Sequence, residues 1–94
     1  MKAIWTGKAR QDLEAIWTFI ALDNIDAADA QIQLIWTASV ILEDFPELGR
    51  IGKVPGTREL VVPGTAYRLI YRITSKTLQI LRVMHGAREW PPKH

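Results

Sequence analysis

Hydrophobic residues in the first part of the chain recur at steps of three and four. Such spacing places them on one face of an α-helix, which turns once in about 3.6 residues. The members of this first stripe are Ala9, Leu13, Ile16, Trp17 and Ile20. Thr6 precedes the stripe and has a side-chain oxygen that can cap the helix. The apolar stretch before the cap, residues 2–6, is predicted to be a strand.

A second helical stripe follows Asp23 and Asn24, which interrupt the first pattern. Its positions are again three and four residues apart and comprise Ala28, Ile32, Ile35, Ser39 and Leu42. Asn24 is a suitable cap for this helix. The helix should end near Phe45-Pro46, because a residue that precedes proline is pushed out of the helical region. The two stripes therefore predict a helical hairpin.

The period changes to two after a loop marked by Gly49, Gly52, Pro55 and Gly56. Residues 57–62, 66–73 and 77–84 are rich in Val, Ile, Leu and Tyr and are separated by two short polar turns, which predicts a three-stranded antiparallel meander. In the middle strand Tyr67, Leu69, Tyr71 and Ile73 face one way, and Arg68, Ile70 and Arg72 face the other.

One face of the sheet should pack on the helices and the other should be basic. The sequence thus predicts an α+β fold of two layers in which an N-terminal strand, a helical hairpin and the meander form a single domain over residues 1–94. The strand that residues 2–6 pair with is left open.

Composition excludes several classes of function. The 94 residues contain no cysteine, so disulfides and thiolate chemistry are absent, and two histidines without cysteines argue against a structural zinc site. We expect neither a metal nor a cofactor, since there is also no glycine-rich phosphate loop or paired-carboxylate motif. No apolar run of about 18 residues and no secretory leader is present. A cytoplasmic location is therefore expected.

Charge is divided unevenly between the two halves of the chain. Residues 1–49 carry three Lys/Arg against eight Asp/Glu, a net charge of −5, whereas residues 50–94 carry nine against two, a net charge of +7. This asymmetry favours an anionic partner for the second half. A solvated surface with uneven charge is the alternative.

Short fragments along almost the whole chain resemble the ParE/RelE superfamily of toxins. The fragments are Thr6 and Ala9, Asp12-Leu13 and Ile16, Asn24 with Ala27-Ala28, and the segments 45–50, 56–60, 67–71 and 85–88. Their order matches the strand, helical hairpin and meander of that superfamily. Ile25 departs from the proline often found after the cap asparagine, at a position that tolerates either residue.

The resemblance implies a toxin of a type II toxin–antitoxin system but leaves two activities open, because fold does not determine function. ParE-like members poison DNA gyrase, whereas RelE-like members cut messenger RNA on the ribosome. If the chain is a nuclease, the resemblance assigns catalysis to Arg68, His85 and Arg88. However, Leu60 stands where a second basic residue would be, and no tyrosine follows Arg88. Gyrase inhibition without catalysis is therefore the first expectation, and an inert relic of the family is a third.

The cations and aromatic residues of the second half are the candidate target-binding residues. They are Arg58, Arg68, Arg72, Arg82, His85, Arg88 and Trp90. Several have a structural alternative: Arg82 could pair with Glu59 across the sheet, and His85 could be a hydrogen-bonded residue at a strand end. The partner of this surface is expected to be gyrase or, in the alternative, the ribosome with its messenger RNA.

The helical hairpin has more large aromatic residues than a small core can bury. Trp17 and Ile20 fit the first core stripe, but Phe19 and Trp36 lie off the stripes. The resemblance implies that a cognate antitoxin covers such a surface with an amphipathic segment and forms a hetero-oligomer with the toxin. The candidate antitoxin-binding residues are Trp17, Phe19, Ile20, Trp36 and Val40.

Overall fold

The computed structural model describes residues 1–92, so Lys93 and His94 lie outside the described residues. Within this range two helices follow a first strand, and four further strands complete the sheet. The elements are β1 (Lys2–Trp5), α1 (Gly7–Ala21), α2 (Ile25–Asp44), β2 (Arg50–Ile51), β3 (Thr57–Val61), β4 (Tyr67–Ile73) and β5 (Thr77–His85). The predicted α+β fold is confirmed. Over this part of the chain, neither helix combines the length and apolarity that crossing a bilayer requires.

Both helices begin at the predicted caps. The Oγ1 of Thr6 accepts a hydrogen bond from the N–H of Ala9 at 3.2 Å, and the Oδ1 of Asn24 accepts one from Ala27 at 3.0 Å. These contacts satisfy N–H groups that have no partner within the first turn of a helix.

The sheet has the order β1-β5-β4-β3-β2. The antiparallel meander of β3, β4 and β5 is as predicted, and the neighbour of β1, which the sequence left open, is β5 in parallel orientation. The segment predicted as a loop, residues 49–56, contains β2, which pairs with β3 through Arg50 and Glu59. β2 was not predicted, because a two-residue strand is too short to show a period.

The core lies between the helices and one face of the sheet. Leu69 and Tyr71 of β4 and Ile80 of β5 are fully buried there against Ile35 and Leu42 of α2. The opposite face is less purely basic than predicted. Ile70 is fully buried outside this core, at a register shift where it pairs with Arg82 while Tyr71 pairs with Ile80. The shift is a β-bulge, which bends the strand and increases its twist.

Tyr71 fastens the segment that follows α2 to the sheet. Its buried hydroxyl donates a hydrogen bond to the carbonyl of Pro46 at 2.7 Å and accepts one from the N–H of Gly49 at 2.8 Å. A Cβ at position 49 would lie 2.6 Å from that hydroxyl, so only glycine fits. Arg58, directly across from Tyr71, donates to the carbonyl of Gly49 at 2.9 Å. Arg58 therefore lies on the helix side of the sheet, away from Arg68.

Replacing Tyr71 with phenylalanine should lower the free energy of unfolding by about 1–3 kcal/mol, because the buried N–H of Gly49 loses its acceptor. Burial raises the pKa of Tyr71. The unfolded tyrosine, which ionises near pH 10, therefore loses its proton first, and the stability contributed by the neutral phenol declines as pH rises above about 10. Urea unfolding at several pH values measures both effects. A Tyr71→Phe penalty that stays constant into the alkaline range would contradict this account, and Tyr67→Phe is the control.

Candidate target-binding site

A cleft of about 380 Å³ opens between β2 and the segment that follows β5, on the face of the sheet opposite the helices. We call it the basic cleft. Four cationic side chains line it, together with two glutamates, the indole of Trp90 and the chain at positions 86–87. The charged lining residues are Arg50, Lys53, Arg68, Arg88, Glu59 and Glu89.

Arg68 and Glu59 form a buried ion pair at the base of the basic cleft. The Nη1 of Arg68 donates to the Oε1 of Glu59, and the two side chains are only 13% and 6% exposed. The Nη2 of Arg68 donates to the backbone carbonyl of Arg88 at 2.6 Å. Arg68 therefore neutralises Glu59 and holds the segment after β5 against the sheet. Its charge is engaged within the protein.

The other three cations of the basic cleft are exposed. Arg50, Lys53 and Arg88 make no side-chain hydrogen bond or ion pair with the residues that the structure describes. Arg50 and Lys53 were not among the candidate site residues, because they fall in the segment read as a loop. The signal that could have found them is the net charge of +7 carried by the second half of the chain.

A second groove adjoins the basic cleft and runs between α1 and β5. It is lined by residues that include Asp12, Phe19, Tyr67, His85 and Arg88. The Nδ1 of His85 accepts a hydrogen bond from the N–H of Ala87 at 3.2 Å, and its ring is nearly perpendicular to that of Tyr67, with the ring centroids 5.7 Å apart. His85 is thus a hydrogen-bonded residue at the end of a strand. Arg88 lines both depressions.

Arg82 pairs with Asp12 of α1, so its predicted pairing with Glu59 was wrong. The Nε and Nη2 of Arg82 donate to the two carboxylate oxygens of Asp12 at 2.7 and 3.0 Å. The same carboxylate accepts the N–H of Val83 at 2.9 Å. Because β1 pairs with β5 only as far as Ile80, Asp12 covers an edge of β5 that β1 leaves open. Hydrogen bonding to Asp12 raises the pKa of Arg82 and keeps it charged.

Substituting Asp12 with asparagine should lower the free energy of unfolding by about 1.5–3 kcal/mol, because a partly buried Arg82 loses its counter-charge. Glu14→Gln removes an exposed acid from the same helix and should change stability by less than about 0.5 kcal/mol. Urea denaturation of the two variants beside the parent chain measures the difference. Equal stability of Asp12→Asn and Glu14→Gln would show that the contact contributes nothing.

The cations of the basic cleft suit the binding of an anion. General acid–base catalysis needs a titratable group within hydrogen-bond reach of the reacting atoms. Glu59 is buried and paired with Arg68, and His85 lines the neighbouring groove. Tyr71 is fastened beneath the segment after α2. Within residues 1–92 no group of three or more potential metal ligands is assembled either.

The structure brings together only part of the predicted target-binding set. Arg68, Arg88 and Trp90 meet in the basic cleft, whereas His85 and Arg82 line the groove beside α1. Arg72 is exposed on the same face as Arg68 but lines neither depression, and Arg58 lies on the opposite face. The roles of these residues in target binding stay predictions.

The predicted antitoxin-binding residues fall on two surfaces. Trp36 is 49% exposed and stacks on Trp5 of β1 with ring centroids 5.9 Å apart. Trp17 is 37% exposed, so its place in the core stripe was wrong, and its N–H donates to Asp29 of α2 at 2.8 Å. Phe19, which is 71% exposed, lines the groove between α1 and β5 instead.

The surface that contains Trp36 and Trp17 lies mostly along one stripe of α2. Asp29, Trp36 and Val40 are spaced by seven and four residues, which places them on one side of the helix. Val40 is exposed, and Ile20 is half-buried. Trp17 reaches this stripe through Asp29, and Trp36 also lines a cleft of about 620 Å³ beside β1. We call Trp17, Trp36 and Val40 the hairpin surface.

Comparison with known proteins agrees with this architecture. The model of the family described as the ParE toxin of type II toxin–antitoxin systems, parDE, matches residues 3–90. The chain belongs to the ParE toxin family. This toxin is 40% identical over 87 residues to the putative toxin Y4kP of Sinorhizobium fredii, covering 93% of this chain and 90% of the relative. It is 31% identical over 87 residues to toxin RelE2 of Caulobacter vibrioides, covering 93% and 97%.

Two solved structures share the fold of this toxin. The chromosomal ParDE toxin–antitoxin system from P. aeruginosa matches with a TM-score of 0.81 and 31% identity over 90% of this chain and 95% of that one. The toxin–antitoxin complex RelBE2 from Mycobacterium tuberculosis matches with a TM-score of 0.59 and 26% identity over 89% and 95%. The resemblance to ParE/RelE toxins found in the sequence is thereby confirmed.

Proposed function

We propose that this toxin inhibits DNA gyrase without catalysing a reaction and that a cognate antitoxin holds it inactive. The observation that carries the proposal is the composition of the basic cleft. Arg50, Lys53 and Arg88 line it without an ion pair to residues 1–92, its buried acid Glu59 is paired with Arg68, and its described lining includes no histidine. Such a cleft gains affinity from charge, whereas a nuclease needs a positioned acid or base.

Membership of the ParE family supports the same target. The matching family model describes toxins of parDE systems, and the solved structure with a TM-score of 0.81 is a ParDE system. A ParDE or RelBE assembly contains an antitoxin, which supports a similar partner for this toxin. The hairpin surface offers exposed aromatic area to that partner, as amphipathic segments require.

A supercoiling assay tests the proposed target directly. The purified toxin should block the supercoiling of relaxed plasmid by gyrase or stabilise its cleaved DNA complex, and addition of its cognate antitoxin should restore activity. Unimpaired supercoiling at a large molar excess of folded toxin would overturn the gyrase proposal. A separate translation assay with messenger RNA on ribosomes should show no cleavage.

A ribosome-dependent messenger-RNA endonuclease is the second candidate. The observation that favours it is the groove beside α1, where His85, Tyr67 and Arg88 lie close together. An imidazole titrates near neutrality, and an adjacent arginine could stabilise a charged phosphorane. One of the proteins similar to this toxin is named toxin RelE2. Cleavage in the ribosomal A site, detected by toeprinting while gyrase stays active, would favour this candidate over the first.

A further inference from the structure

The basic cleft combines features that recognise a nucleic-acid strand. Arg50 and Lys53 contribute charge from β2 and the loop after it, and Arg88 contributes charge from the segment after β5. These three side chains are exposed and make no ion pair within residues 1–92. Cations on opposite walls of one cleft raise the local electrostatic potential more than the same cations spread over a surface.

Of the two glutamates that line the basic cleft, Glu89 is exposed and Glu59 has its charge cancelled by the protein itself. Glu59 is 6% exposed and is paired with Arg68, so it opposes an incoming anion little. Arg68 also holds the carbonyl of Arg88 at 2.6 Å, which fixes the backbone from which the Arg88 side chain projects. The ion pair therefore removes one negative charge from the cleft and fixes the position of Arg88, although Arg68 itself is mostly buried.

Trp90 adds an aromatic surface to the same cleft. Its side chain is half-buried, and it lines the cleft beside Arg88 and Glu89. Aromatic side chains next to cations are typical of sites for single-stranded nucleic acid, because a base stacks on the ring while phosphates contact the cations. A free phosphate ion would use the cations alone and leave the indole without a partner.

We propose that the basic cleft binds the phosphodiester backbone of a single nucleic-acid strand, with Arg50, Lys53 and Arg88 each contacting a phosphate and an adjoining base stacked on Trp90. This inference rests on the proposed function in taking the natural strand to be DNA held by gyrase. The toxin would then contact the nucleic acid of its target complex as well as the enzyme.

Fluorescence anisotropy with a labelled thymidine strand of about ten nucleotides tests this site, since such a length spans one typical binding groove. The purified toxin should bind the strand with a salt dependence of log K on log salt near −2, which is about −0.7 for each of three phosphate contacts. Arg88→Ala and Lys53→Ala should each weaken binding about tenfold and reduce the slope by about 0.7. Lys76→Ala removes the same charge at the far turn of the β4–β5 hairpin and should leave both quantities unchanged.

Variants at position 90 separate stacking from charge. Trp90→Ala should weaken binding about fivefold or more without changing the salt slope, and Trp90→Phe should restore most of the affinity. Circular dichroism and thermal unfolding establish that each variant is folded. Equal losses in Arg88→Ala and Lys76→Ala would overturn the proposal, as would the absence of binding by the folded toxin at low salt.

A uridine strand of the same length identifies the source of the phosphodiester. Similar or tighter binding of the thymidine strand supports a DNA contact, whereas strong selectivity for the uridine strand overturns the assignment to DNA. The two proposals fail separately. Gyrase inhibition without strand binding overturns this inference alone, and strand binding without gyrase inhibition overturns the proposed function alone.

Discussion

Replacing Trp36 with lysine should weaken the complex between this toxin and its antitoxin by about 2 kcal/mol or more, which is about thirtyfold in the dissociation constant. Trp36 is the most exposed residue of the hairpin surface, and its stack on Trp5 holds the ring in one orientation. A preorganised aromatic ring contributes more to binding than a mobile one, because little side-chain entropy is lost. Lysine would place a charge where the antitoxin must exclude water.

Trp36→Lys also removes the stack with Trp5, so the stability of the variant must be measured separately. Leu34→Lys is the control for a lysine elsewhere on α2: Leu34 is 41% exposed, and the two-residue offset turns it about 200° around the helix from Trp36. Isothermal calorimetry on both folded variants, with thermal unfolding of each toxin alone, separates binding from folding. A complex weakened by Leu34→Lys and unchanged by Trp36→Lys would place the antitoxin on the other side of α2.

The fold was predictable because its signals are local. The spacing of apolar residues and the caps at Thr6 and Asn24 specify the hairpin, and the alternating residues between two polar turns specify the meander. The parallel pairing of β1 with β5 was not predictable, since it joins Lys2 to Thr77 across most of the chain. Nothing in a four-residue strand indicates which neighbour it chooses.

The partners of the ion pairs were likewise not predictable from the sequence. Arg82 could pair with any acid that the fold brings near, and the strand pattern suggested Glu59, whereas the open edge of β5 brings α1 and Asp12 to it. Glu59 then pairs with Arg68, which changes Arg68 from a free cation into a residue that fixes the cleft. The cations of the second half are evident in the sequence, but the ion pairs that some of them form within the protein depend on the fold.

Substituting Arg88 with alanine should reduce toxicity strongly, whereas His85→Gln should have a milder effect. Arg88 lines both the basic cleft and the groove beside α1, and its guanidinium is exposed and makes no ion pair in the part of the chain that the structure describes. Loss of that charge weakens every anionic contact made there. The Nδ1 of His85 accepts a hydrogen bond from the N–H of Ala87, and the side-chain oxygen of glutamine can accept the same hydrogen bond.

The nuclease alternative predicts a different order for the same two variants. If His85 transferred a proton, its loss would lower the rate by about 100-fold to 10,000-fold, so His85→Gln would abolish toxicity at least as completely as Arg88→Ala. Growth arrest after induction of each variant without antitoxin, normalised to the amount of folded toxin, measures the order, with Lys76→Ala as the charge control. Full toxicity of Arg88→Ala together with loss of toxicity in His85→Gln would refute the binding account of this face. Full toxicity of both would place the toxic surface on the helices or on residues 49–56.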